Sequence, residues 1–136
     1  MRPLPRVDIW AWPYWESARR GRLVIQRCHA CDEAVFYPRP ACPQCGRDTL
    51  VWEEASGKAT VYSHTTVESY APSAFTDEVP FVIAIVQLDE GPRMMTNLIG
   101  AEPNAFHCGM AVQVDFMAIS DEITLPVFVP EEVSDA

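Results

Sequence analysis

Four cysteines constrain this chain more than any other feature. Cys28 and Cys31 form one C-x-x-C pair and Cys42 and Cys45 a second, with ten residues between the pairs. A C-x-x-C turn aims two thiolates at one point. Two such turns on facing hairpins supply the four sulfur ligands of a closed tetrahedral zinc site, with Zn–S bonds of about 2.3 Å. The spacer is shorter than the roughly 15 to 20 residues of the common ribbon template. It still fits a compact hairpin, because Pro38 and Pro40 stiffen the return. In Cys42-Pro43-Gln44-Cys45-Gly46, proline presets φ in the turn and Gly46 permits the positive φ of a tight knuckle. A segment this short cannot bury a core of its own, so the ion substitutes for one. Iron fits the same S₄ cage. Two disulfides would need an oxidising compartment, and a redox pair would need a single C-x-x-C at a βα turn. Four sulfur ligands leave no position for water or substrate, so the metal is expected to be structural.

A chain of 136 residues is one domain by length, or two very small ones if a metal holds one of them together. No apolar run approaches the roughly 20 residues that span a bilayer, so no membrane segment is expected. The start, MRPLPRVDIW, lacks the basic and apolar regions and the cleavage site of a signal peptide. Five cysteines, four of them in metal-spaced pairs, suit a reducing cytoplasm. Residues 1–58 carry nine basic side chains against seven acidic ones, whereas residues 59–136 carry Arg93 alone against twelve acids.

Along the chain, Asp8 to Arg20 reads as a short helix: Asp8 or Ala11-Trp12 could precede its start, Pro13 suits its first turn, Arg19 and Arg20 sit at its C-terminal end, and Gly21 is the stop. Trp10, Trp12 and Trp15 load it heavily with aromatics. They either dock the helix on the rest of the fold or stay exposed to meet a ligand or partner. Leu23–Arg27 and Ala34–Tyr37 are strands flanking the first knuckle, and Leu50–Glu54 follows the second. From Gly57 onward β-branched and alternating runs predict five strands, at 58–67, 81–88, 93–99, 110–119 and 123–129. Five short strands with a long connection after the third suit a closed barrel of OB type. The expected fold is therefore mainly β: an N-terminal helical segment (1–22), a zinc ribbon (23–55) and a five-stranded OB barrel with an acidic tail (56–136). The loop 68–80 is long for a hairpin, and such loops tend to be functional or mobile.

A ribbon beside an OB barrel first points to nucleic acid, but single-strand binders need a positive groove. The acidic barrel half opposes that, and no nucleic-acid partner is expected. No catalytic constellation stands out either. His29 lies in the ribbon, His64 sits mid-strand, and His107 and Cys108 are adjacent on extended chain, where side chains point opposite ways. Cys108 reads as structural, and no residue is assigned a catalytic role.

Three motifs in order carry a resemblance: G-R-L-x-x-x-R-C-x-x-C (Gly21–Cys31), Y-P-R-P-x-C-P-x-C-G (Tyr37–Gly46) and S-G-K-A-T-V-Y-S-H-T (Ser56–Thr65). With Pro80–Gly91, Gly109–Phe116 and Leu125–Pro130, they make nearly the whole chain resemble the OB-fold family associated with acyl-CoA metabolism. Its members carry an N-terminal helix and a rubredoxin-like zinc ribbon. Asp32 stands where that family commonly has glycine, and Cys108 where an aliphatic residue is usual.

The resemblance implies a small, non-catalytic subunit paired with a thiolase-like or hydratase-like enzyme of lipid or steroid side-chain acyl-CoA metabolism, completing or shielding its acyl-CoA site. A free-standing acyl-CoA carrier is the alternative. Candidate partner or acyl-CoA contacts are Trp10, Trp12, Trp15, Arg19, Arg20, Tyr70 and Phe75.

Overall fold

The computed structural model describes residues 2–69 and 73–131. The helix begins at the later of the two starts the sequence offers. Ile9–Ala11 forms a 3-10 turn, closed by Ala11 N–H donating to the Asp8 carbonyl at 2.9 Å, and helix α1 spans Trp12–Arg19. Asp8 makes no side-chain cap, and Pro13 occupies the first helical turn, where a missing N–H costs nothing. Gly21, at φ 75°, ends the helix: its N–H bonds the Ala18 carbonyl while that of Arg22 bonds Ser17. This double closure satisfies two of the last carbonyls of α1.

The ribbon is a three-stranded antiparallel sheet in the order β2-β1-β3, from β1 (Val24–Cys28), β2 (Ala34–Val35) and β3 (Leu50–Glu54). β2 is two residues long, where the sequence predicted four. The cause is Gln26, a buried side chain on β1. Its amide donates to the Arg39 carbonyl at 3.0 Å and accepts from Arg39 N–H at 2.8 Å. That side-chain clamp replaces the backbone ladder and lets residues 36–40 turn away from the sheet.

The second unit is the expected closed five-stranded barrel, in the order β4-β5-β6-β8-β7. Its strands are β4 (Lys58–Val67), β5 (Phe81–Leu88), β6 (Arg93–Leu98), β7 (Ala111–Ala118) and β8 (Thr124–Pro130). β4 and β5 have the limits the sequence predicted, and the other three differ by a residue at one or both ends. β6 and β8 meet in parallel at a single pair, Leu98 with Phe128, and are held further along by Thr96 Oγ1–H donating to the Pro126 carbonyl at 3.2 Å. Inward-facing Val61, Val82, Val86, Leu88, Val112 and Phe128 fill the barrel. The same core runs without a break into Tyr14 on α1 and Leu23 and Ile25 of the ribbon. One apolar core thus serves all three segments.

Two contacts fix the segments to one another. Gly57 joins ribbon to barrel at φ 82° and accepts Val114 N–H at 2.7 Å. At the N-terminus, Arg2 reaches the 3-10 segment Ser73–Glu78 in the loop before β5. It donates to both Glu78 oxygens at 2.6–3.1 Å and to Asn97 Oδ1 at 3.0 Å. No helix among the described residues is long and apolar enough to cross a membrane.

Candidate metal centre and aromatic cleft

The two knuckles are built alike. In the first, Cys28 N–H donates to the Glu33 carbonyl and Asp32 N–H to the Cys28 carbonyl. In the second, Cys42 N–H donates to Arg47 and Gly46 N–H to Cys42, and all four bonds measure 2.8–2.9 Å. Asp32 is therefore the counterpart of Gly46, and both take positive φ, 62° and 76°. An aspartate tolerates this left-handed conformation better than most residues, but at a cost glycine does not incur. The knuckles bring Cys28, Cys31, Cys42 and Cys45 together with all four sulfurs within 4.8 Å of one another. Cys28–Cys45 and Cys31–Cys42 are each separated by 3.6 Å. A tetrahedral ion with metal–sulfur bonds of about 2.3 Å needs sulfurs about 3.8 Å apart, so the cage fits such an ion.

The thiols titrate unequally. The Thr49 hydroxyl, 3.2 Å from Cys28 Sγ, stabilises the thiolate and pulls Cys28 down to about 6. For Cys31 the Glu33 N–H lowers, but burial and the neighbouring thiols raise, and the net is up to about 12. Four clustered sulfurs cannot all ionise unaided, which is the electrostatic demand a bound cation meets. Cys28 and Cys42 are buried while Cys31 and Cys45 are exposed. The site is a zinc ribbon with four cysteines positioned to bind a metal ion.

The helix aromatics divide between packing and exposure. Tyr14 is buried edge-on against Trp15 and Phe36, with ring centroids 5.1 and 5.7 Å apart. Burial pushes its phenol pKa upward, so it stays a neutral hydroxyl. Tyr14 lies at the base of a cleft of about 450 Å³ between the helix, the ribbon residues Phe36 to Pro38, and the facing edges of β6 and β8. Trp10 and Trp15 line this cleft, with Met94 to Asn97 on the barrel side. Trp12, Trp15 and Arg19 line a second groove of about 400 Å³ on the other flank of the helix, facing Glu122 and Ile123. Arg19 and Arg20 both pair with Glu16, at 3.4 and 3.2 Å, and Arg20 remains 73% exposed.

Phe75 is turned inward onto Phe81, with centroids 5.6 Å apart and Arg2 stacked over it. Tyr70 lies outside the described residues. Cys108 is exposed, and the His107 ring nitrogen lies 3.2 Å from the Cys108 carbonyl rather than its sulfur. Neither the cleft nor the Arg2 anchor was legible beforehand, because each joins residues far apart in the chain.

Two family profiles cover most of the chain: the rubredoxin-like zinc ribbon domain of ChsH2 over residues 15–51 and the C-terminal OB-fold domain of ChsH2 over residues 52–117. The chain belongs to the ChsH2 (DUF35) family. One solved relative is the Ltp2-ChsH2(DUF35) aldolase. A chain of it superposes with a TM-score of 0.83 at 40% identity, over 93% of this chain and 98% of that one. A probable enoyl-CoA hydratase alpha subunit of Thermomonospora curvata is 41% identical over 137 residues, 98% of this chain. This chain spans only 42% of that relative's length. A DUF35 domain-containing scaffold protein of Methanocaldococcus jannaschii is 36% identical over 101 residues, 74% of this chain and 71% of its own.

Proposed function

We propose that this chain is a non-catalytic scaffold subunit of a thiolase-, aldolase- or hydratase-type complex acting on acyl-CoA, and that it completes or shields the partner's acyl-CoA site. The observation that carries this is the end-to-end likeness, at 40% identity, to a chain of the Ltp2-ChsH2(DUF35) aldolase. Cys28, Cys31, Cys42 and Cys45 hold Zn²⁺, whose bond length and coordination number suit the cage, as those of iron would. The ion supplies folding energy and no chemical step. Trp10, Trp12 and Trp15, with Arg19 and Arg20, form the contact zone for partner or acyl-CoA, while Phe75 acts indirectly by supporting β5. The site of action is the cytoplasm.

A second role, a free-standing acyl-CoA carrier, draws support from the apolar cleft, whose size lies within the usual range for small-molecule sites. Affinity purification of the tagged chain from its native host at low salt separates the two. A scaffold retains a thiolase-, aldolase- or hydratase-type chain in stoichiometric amount. A lone monomer that binds CoA by itself overturns the scaffold role in favour of the carrier.

A further inference from the structure

Strand β5 is apolar on both of its faces, yet the barrel covers only one. Val82, Ala84, Val86 and Leu88 point inward and are buried. Their neighbours Ile83 and Ile85 point outward, as strand alternation demands, and are half-buried. The register sets Ile85 beside Met95 on β6, whose side chain is 70% exposed. On the other flank β4 bulges between Val61 and Ser63, and the extra residue is Tyr62, 51% exposed. A bulge re-aims a side chain. Here it sends the Tyr62 ring across the outward side of β5 to within 3.8 Å of the Arg93 guanidinium on β6. The outward side of an antiparallel sheet is ordinarily polar where water covers it. The chain hides the beginning of this apolar row itself, by laying Phe75 on Phe81. The crossing Tyr62 ring shields part of the row's continuation, and Ile83 and Ile85 stay partly open for something else to cover.

Charge and continuity narrow what does. Residues 59–136 carry twelve acids and a single base, Arg93, which stands at this patch. Two copies of so acidic a barrel repel, so a second copy is disfavoured and a partner of opposite charge is drawn in. Met95 also lines the aromatic cleft, making patch and cleft one surface that ends at Trp10 and Tyr37, 43% and 68% exposed.

We infer that this face, centred on Ile85, Met95 and Tyr62, is where the catalytic partner subunit docks, through an apolar surface bordered by lysine and arginine. The inference rests on the scaffold role proposed above.

The test uses the full chain and, as probe, the catalytic chain it retains from its host, purified free of it. Met95→Glu places a charge on a side chain that the fold leaves in water. It should bind that chain at least tenfold more weakly at an unchanged melting temperature, and wild-type binding should weaken as salt rises from 50 to 500 mM. Ile85→Thr provides the same readout if Met95→Glu fails to fold. If wild type retains no catalytic chain, the scaffold role fails and this inference with it. If wild type retains it and a folded variant binds equally well, the docking face is wrong while the scaffold role stands. Self-association of the wild type that Met95→Glu abolishes assigns the face to a second copy and also overturns the inference.

Discussion

Gly57→Ala tests how ribbon and barrel are joined. At φ 82° a β-carbon on residue 57 would sit 2.6 Å from Val114 Cγ1, far inside van der Waals contact. Val114 cannot simply retreat, because its N–H is bound to the Gly57 carbonyl at 2.7 Å and its side chain packs against the core. The left-handed backbone costs about 1 kcal/mol for a residue with a β-carbon. Forcing a methyl against a packed valine adds about 1–3 kcal/mol. The total is about 2–4 kcal/mol, or a fall in Tm of about 6–12 °C for a chain of this size.

Gly21→Ala supplies the control. Its φ is 75°, but nothing lies within 4 Å of the added carbon, so it carries the backbone cost alone. Differential scanning calorimetry of the two variants isolates the steric part, and Val114→Ala in the Gly57→Ala background should recover part of it as a coupling between neighbours. Equal losses for Gly57→Ala and Gly21→Ala would refute the steric argument.

Three further outcomes are expected. Cys42→Ser should lower bound metal from about one equivalent to near none by elemental analysis and melt the ribbon, since metal binding and folding are one process in such sites; retention of a full equivalent with native circular dichroism would contradict the ligand assignment. Asp32→Gly should raise stability by up to about 1 kcal/mol in chemical denaturation, because glycine removes the left-handed strain and the exposed Asp32 carboxylate, 3.9 Å from Arg27, contributes little. Finally, the Arg2 hydrogen bonds hold the Glu78 carboxyl below the usual carboxylate range. The stabilisation is thus present above the unfolded-state pKa of about 4.3 and lost as pH falls through the lower folded-state value. Wild type should melt above Arg2→Ala at pH 7, and that difference should shrink as pH falls below about 4.

Much of this architecture was legible because it depends on local pattern. The cysteine spacing announced both knuckles, and the β-branched run 58–67 and the apolar run 81–88 matched the limits of β4 and β5. Where the pattern misled, at β2, a side chain had taken over from the backbone: Gln26 clamps Arg39 and cuts the strand short. Asp32 was visible as a departure from glycine, but only the matched hydrogen bonds of the two knuckles show that it holds the left-handed position. The cleft could not be read at all. It unites residues from the N-terminal segment, the ribbon and two barrel strands, and the burial of Tyr14 depends on that assembly.

The scaffold role is tested most directly by reconstitution. The catalytic chain retained from the host is assayed for acyl-CoA turnover alone, with this chain, and with the Cys42→Ser variant, while this chain is assayed by itself. The account predicts no turnover by this chain, at least a tenfold gain when the wild type joins its partner, and no gain with Cys42→Ser. Turnover by this chain alone, or a partner fully active without it, would contradict the account.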